Sequence, residues 1–236
     1  MNVYLTGDTH GRFERIASFC RDKRTTREDV LIILGDAGVN YYLNHRDETL
    51  KQYIATMPIT LLCIHGNHEA RPTEALGYEP VERFGGTVMA QREYPNLLFA
   101  LDGEVYELGG RSCIAIGGAY SIDKHYRLLR GAAWWPDEQP NDEIKRRVES
   151  ALARRGWRVD VVLSHTTPLS YEPTEAFLPF VDQSTVDTST EQWLDEIERR
   201  LHYDRWYAGH FHTVKTVDRL RIMYQDYARL GAMRYE

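Results

Sequence analysis

Apolar positions in the first third of the chain follow two alternating rhythms. The runs at 2–6, 29–36 (DVLIILGD) and 59–67 (ITLLCIHGN) are nearly continuous, and each is closed by a glycine followed by Asp or Asn: Gly7-Asp8, Gly35-Asp36 and Gly66-Asn67. Short apolar runs bounded by glycine predict strands buried on both faces. Between them, Phe13, Ile16, Ala17 and Cys20 recur at helical spacing, and 46–57 (RDETLKQYIATM) predicts a second helix. Strands of this kind alternating with helices predict a parallel sheet covered on both sides.

The middle of the chain changes character. GGTVMAQ, NLLFALDGEVYEL and RSCIAIGGAY are short β-rich runs, and Asp102-Gly103 and Gly109-Gly110 predict hairpin turns between antiparallel strands. A helix follows with both ends marked. Asn141 is its cap, Asp142 and Glu143 lie in its first turn, Ile144, Val148, Ala151 and Leu152 form its apolar stripe, and Arg154 and Arg155 precede Gly156. A strand at 159–165, a helix at about 190–202, the segment WYAGHFH at 206–212 and a hairpin over 213–226 complete the pattern. The long stretches 121–140 and 166–187 follow strands and predict lids or binding loops.

At 236 residues, the reading is one domain spanning 1–236. A formal net charge of -6 disfavours nucleic acid as a partner, because phosphate binding calls for a basic field. Cys20, Cys63 and Cys113 are odd in number and widely spaced, so they read as reduced core thiols. No apolar run approaches the ~20 residues that cross a bilayer, and the early first strand leaves no room for a leader. The expected location is the cytoplasm, with no membrane partner.

Acids, amides and histidines recur where strands end: Asp8 and His10, Asp36, Asn67, His165, then His210 and His212. Oxygen and nitrogen donors gathered at strand ends suit a divalent metal, so GDTHGR reads as half of a metal site. The one alternative role for Asp8 is to cap a helix starting near Arg12, which leaves His10 unexplained. His45, His65 and His202 lie outside these blocks and read as hydrogen-bonded core histidines without a chemical role.

The blocks GDTHG, GD, GNHE, SH and GHFH, in that order between residues 5 and 212, resemble the calcineurin-like metallophosphoesterase superfamily. The resemblance implies an α/β fold, a four-layer αββα sandwich of two mixed β-sheets flanked by helices. It implies one metal held by Asp8, His10, Asp36 and His212 and a second held by Asp36, Asn67, His165 and His210, with Asp36 bridging. Two cations about 3.5–4 Å apart need such a shared anion and together activate a water that attacks phosphorus. Manganese is the expected metal, with Fe, Zn, Co or Ni also compatible with these donors. His68 is the implied catalytic group, stabilising developing charge or protonating the leaving oxygen. Helix starts after Gly11 and after Asn67 are expected to add N–H groups to a phosphate pocket.

The second block departs from the protein phosphatases of the superfamily, which continue Gly-Asp-x-x-Asp-Arg-Gly. Here GDAGVNY sets Val39 and Asn40 in the Asp and Arg places, removing an acid that orients the histidine and an arginine that clamps phosphoryl oxygens. Arg12, Arg71, Arg127 and Arg130 are candidate substitutes for that clamp. Trp134 and Trp135 either face substrate, by stacking, or pin the long loop onto the core or form a subunit contact. The expected function is hydrolysis of a phosphate ester on a small phosphorylated metabolite or nucleotide. The alternatives are a protein phosphatase or nuclease of the same superfamily, or a noncatalytic protein-binding scaffold.

Overall fold

Alternate residues of the continuous apolar runs face two different cores, which is why those runs hold so few polar positions. In the computed structural model, which describes residues 1–230, the chain forms β1 (Val3–Thr6), α1 (Glu14–Lys23), β2 (Val30–Ile33), α2 (His45–Ala55) and β3 (Thr60–Cys63). It continues through β4 (Glu79–Arg83), β5 (Gly86–Ala90), β6 (Leu97–Ala100), β7 (Val105–Leu108) and β8 (Arg111–Ile116). Then come α3 (Lys124–Arg130), α4 (Asp142–Arg154), β9 (Val161–Ser164), α5 (Ser189–Arg200), β10 (Arg205–Ala208), β11 (Lys215–Val217), β12 (Leu220–Ile222) and β13 (Ala228–Arg229).

The strands make two mixed sheets. One has the order β13-β1-β2-β3-β6-β5-β4 and the other β11-β12-β10-β9-β8-β7. Strands β1, β2, β3 and β6 run parallel, as do β8, β9, β10 and β12, while the outer pairs are antiparallel. Leu5, Ile32 and Leu62 of the first sheet pack against Cys113, Val161 and Leu163 of the second in a shared inner core. Leu31, Ile33, Leu61 and Cys63 point the other way and cover α1 through Ile16 and Cys20 and α2 through Ile54. On the far side, Ile114, Ile116 and Val162 meet Ile144 and Val148 of α4 and Leu194 and Ile197 of α5. The result is the expected αββα sandwich of two sheets between helices. Cys20, Cys63 and Cys113 are free and buried. Among the described residues no helix is long and apolar enough to cross a membrane. The last six residues of the expected domain lie outside the described residues.

Several expectations need correction. Asp102-Gly103 is not a hairpin turn: it carries the chain from β6 in one sheet to β7 in the other. Its geometry is held by Asp102, which accepts from Gly117 N at 2.5 Å and from Arg71 at 2.6 Å. Gly109-Gly110 does join the antiparallel pair β7 and β8. The stretch 121–140 is not wholly irregular, since it contains α3. No helix begins after Asn67; the chain runs through bends to a short 3₁₀ turn at Glu74–Leu76. Asn141 caps α4 as expected, accepting from Ile144 N at 2.9 Å.

Candidate metal centre and substrate cavity

The loops after β1, β2 and β3 and those after β9 and β10 meet at one end of the sandwich, and they bring together every residue of the strand-end blocks. Four of these residues adopt left-handed backbone: His10 (φ 47°), Asp36 (φ 50°), His210 (φ 68°) and His212 (φ 50°). Such conformations cost non-glycine residues free energy and gather at functional sites. The neighbouring glycines make room: a Cβ on Gly66 would stand 2.1 Å from Asp36 N and Oδ1, and one on Gly209 would stand 2.4 Å from Asp8 Oδ1.

The donor atoms converge closely. His10 Nε2 and His212 Nε2 are 2.8 Å apart, and His212 Nε2 lies 3.2 Å from Asp8 Oδ2. His10 Nε2 is 3.8 Å from Asp8 Oδ2 and 3.9 Å from Asp36 Oδ2. On the other side, Asn67 Oδ1 is 2.7 Å from His165 Nε2 and 3.1 Å from His210 Nδ1, and His165 Nε2 is 3.6 Å from Asp36 Oδ1. Two groups of donors result, Asp8 with His10 and His212, and Asp8 with Asp36 and His165. Asp8 is common to both, and Asp36 reaches both sides through its two oxygens.

This donor chemistry fits divalent cations. Asp8 Oδ2 is buried and has no partner in hydrogen-bonding geometry. His165 Nδ1 lies 2.8 Å from Leu34 O and donates its proton there, so Nε2 is the ring nitrogen turned toward the Asn67 oxygen, 2.7 Å away. Lone pairs facing one another in a buried pocket are what a shared cation relieves. The two carboxylates show the same tension. Burial and the neighbouring Asp8 push the Asp36 carboxyl well above its ordinary range. Burial also opposes ionisation of Asp8, yet the facing imidazoles of His212, His165 and His10 hold it low. Burial lowers His10 to about 4 and His68 to about 3.

A further layer fixes these groups. Asp36 Oδ1 accepts from His68 N at 2.8 Å and Asp8 Oδ1 from His210 N at 2.9 Å. Glu69, fully buried, accepts from Gly66 N at 3.2 Å and Gly38 N at 3.1 Å, tying two of the loops together. Asn67 Nδ2 donates to Ser121 Oγ at 2.9 Å, and Ser121 in turn donates to Glu138 at 2.5 Å.

Beside the cluster opens a cavity of about 540 Å³, walled by His10, Asp36, Asn67, His68, His210 and His212 at its base and by the 166–187 stretch and α5 above. A second cavity of about 440 Å³ meets the first at His10 and His68 and is lined by Tyr41, Tyr42 and Arg46. His68 Nε2 lies 3.9 Å from Asp123 Oδ1, a carboxylate from a loop of the other sheet.

The arginine and tryptophan candidates fall outside the walls of both cavities. Arg127 is buried behind Asn67, donating to Ser121 Oγ at 3.1 Å and to Ala133 O at 2.7 Å. Trp134 donates to Glu138 at 2.7 Å, and Trp135 meets Tyr41 edge-on at 5.9 Å. Arg130 lies over Tyr126, Arg71 is held by Asp102, and Arg12 is exposed. Val39 and Asn40 are buried, and Asn40 accepts from Tyr78 OH at 2.9 Å. Of the three histidines expected in the core, only His65 is buried, and neither of its ring nitrogens has a hydrogen-bond partner; His45 opens α2 and His202 follows α5, and both are exposed. Residues that the sequence did not single out, among them Glu69, Ser121, Phe177 and Glu191, form the support and the cavity wall. The E of GNHE was the one visible signal for Glu69.

The model of the calcineurin-like phosphoesterase family matches residues 1–214. No curated protein matches the chain significantly. One solved structure is 14% identical, covering 97% of this chain and 95% of its own, with a TM-score of 0.51. A phosphopantetheinyl hydrolase from Mycobacterium tuberculosis is 16% identical over 94% of this chain and 88% of its own, with a TM-score of 0.48. A protein of unknown function from Aquifex aeolicus is 17% identical over 72% of this chain and 81% of its own, with a TM-score of 0.36. At these identities the likeness concerns the fold alone.

Proposed function

This chain belongs to the calcineurin-like phosphoesterase family, and from that premise we propose that it hydrolyses a phosphate ester of a small phosphorylated metabolite or nucleotide at the cluster built on Asp8 and Asp36. The observation that carries the reading is the convergence of two buried carboxylates, Asn67 and four imidazoles, with lone pairs facing inward at the floor of a cavity. Asp8, His10, Asp36, Asn67, His165, His210 and His212 would hold two divalent cations, manganese being the expected species. Bound there, the cations supply Lewis-acid polarisation of the phosphoryl group and acidify the attacking water.

The remaining work falls to the protein. His68 borders both cavities and packs edge-on against the His10 ring at 5.4 Å without joining either donor group, so its ring faces the phosphoryl or leaving oxygen of a bound ester. Asp123, 3.9 Å from His68 Nε2 and without a hydrogen bond to it, is the acid nearest that ring, a place the second block left empty at Val39. Asp36 accepts the His68 amide and so couples the position of that histidine to the cluster.

The test is a panel of aryl phosphate mono- and diesters assayed with Mn²⁺ and with chelator. Hydrolysis that requires Mn²⁺ and disappears with chelator is expected. Hydrolysis indifferent to chelator would remove the cluster from the reaction.

A further inference from the structure

The larger cavity is far roomier than a phosphate, and its wall is chemically lopsided. Ile122, Phe177, Leu178, Val186 and Phe211 give it an apolar side, and the Phe177 and Phe211 rings stack at 6.1 Å with an angle of 18°. Asp123, Glu172, Asp187 and Glu191 give it an acidic side, and neither lysine nor arginine lines it. Away from the candidate metal centre at its floor, an anionic group carried into this chamber meets carboxylates with no lysine or arginine in the wall, the nearby Arg127 already facing Asp123.

Asp187 is committed elsewhere, accepting from Ser189 N and Gln139 Nε2, both at 3.0 Å. Asp123 has the Arg127 guanidinium 3.7 Å away, although its Oδ1 makes no hydrogen bond. Glu191 is the most deeply buried of the four. It is only 4% exposed, its Oε1 accepts from Thr166 at 2.8 Å, and its Oε2 is buried without a hydrogen-bond partner. An acceptor left unsatisfied in a cavity wall is costly until a donor arrives. Burial shifts the nearby Glu172 carboxyl upward.

We propose that this chamber selects the non-phosphate part of the substrate: an aromatic or branched aliphatic group that carries an N–H or O–H donor for Glu191 and no anion besides the ester phosphate. Phe177 and Phe211 receive the apolar body, and Glu191 with Glu172 receives the donor. Nucleoside di- and triphosphates and carboxylated esters are excluded by the same wall. The proposal rests on the phosphoesterase reading for its orientation, since the ester phosphate must lie over the cluster. The affinity of the chamber for the alcohol portion can be measured without metal.

Two arms test it. In the first, metal-free protein in chelator is titrated with 4-(hydroxymethyl)phenol, 4-(aminomethyl)phenol and 4-hydroxybenzoate, with binding read by NMR. The hydroxymethyl and aminomethyl compounds are expected to bind at least about fivefold more tightly than the benzoate. Phe177→Ala weakens all three, and Glu191→Gln, or Glu172→Gln should the first variant fold poorly, narrows the difference to about twofold or less. Equal binding of the benzoate, no binding at all, or unchanged discrimination in the folded variant overturns the proposal. In the second arm, the aryl phosphates of the same three alcohols and their methyl diesters are offered to Mn²⁺-loaded enzyme. The carboxylated ester is expected to show the raised KM, and its hydrolysis on a par with the others overturns the proposal. Hydrolysis of none of them overturns the phosphoesterase reading, while the first arm still decides the chamber.

Discussion

Asp36 and His210 sit on opposite sheets, and each does two things at once. Asp36 presents an oxygen toward His10 and the other toward His165, and it also accepts the His68 amide; His210 turns its ring toward Asn67 while its own amide ties down Asp8. Asp36→Asn and His210→Ala are therefore expected to lower bound manganese, measured by elemental analysis, and to cut Mn²⁺-dependent turnover at least about a hundredfold. Full hydrolysis by His210→Ala would remove that histidine from the centre. His68 is separable from this group, because it belongs to neither donor set and touches the cluster only edge-on, through the His10 ring at 5.4 Å. His68→Ala should retain its metal content while kcat falls about 10²–10⁴-fold, the usual contribution of a positioned acid or donor. These residues were legible in the sequence because glycine punctuates four of the strand ends and Asp, Asn or His follows it, while His165 follows Ser164 at the end of its own apolar run. Their support was not. Glu69, Ser121 and Glu138 act through contacts between loops far apart in the chain, and no local pattern marks such a partner.

Elements with both faces buried write themselves into the sequence, and elements at an edge do not. Strands β1, β2 and β3 are buried along nearly their whole length and were read from continuous apolar runs. Strand β4 is an edge strand with mostly exposed residues, and α3 leaves Tyr126, Leu128 and Leu129 exposed, so neither shows a periodic apolar face. Asp102-Gly103 carries the local chemistry of a hairpin turn, but Gly117 and Arg71 bind Asp102 and the chain changes sheet instead. The glycine punctuation has a steric meaning that only the assembled loops reveal. At Gly66 the chain passes so near Asp36 that a methyl group would strike its backbone nitrogen. Gly66→Ala is expected to destabilise the protein by about 2–3 kcal/mol in chemical denaturation, because the obstacle is backbone and cannot rotate away. A loss below about 0.5 kcal/mol would mean that the two loops can separate without cost to the fold.

At the scale of the whole molecule, the site is a seam: the carboxylates come from one sheet, most of the imidazoles from the other, and α5 closes the cavity from the outer layer. The long stretches 121–140 and 166–187 were legible as binding loops and supply much of the cavity wall, whereas the individual wall residues were not, since they are scattered over 120–123, 166–191 and 210–213 with no shared period. Packing α5 against that wall buries Glu191, and the burial, reinforced by Glu172 and Asp187, raises its carboxyl from 4.5 to about 7. A carboxyl raised by folding holds its proton in the folded chain after the unfolded chain has released it. Its stabilising contribution is thus complete below pH 4.5 and declines as pH rises toward about 7. Beyond that point it is flat, and the total change is about 3 kcal/mol at most. Stability of the metal-free protein, followed by denaturant titration from pH 4 to 9, should therefore fall through this window more steeply in the native chain than in Glu191→Gln, whose neutral amide has no proton to lose. Parallel curves for the two proteins would show that α5 leaves Glu191 solvated, and the wall it is argued to complete would not be closed.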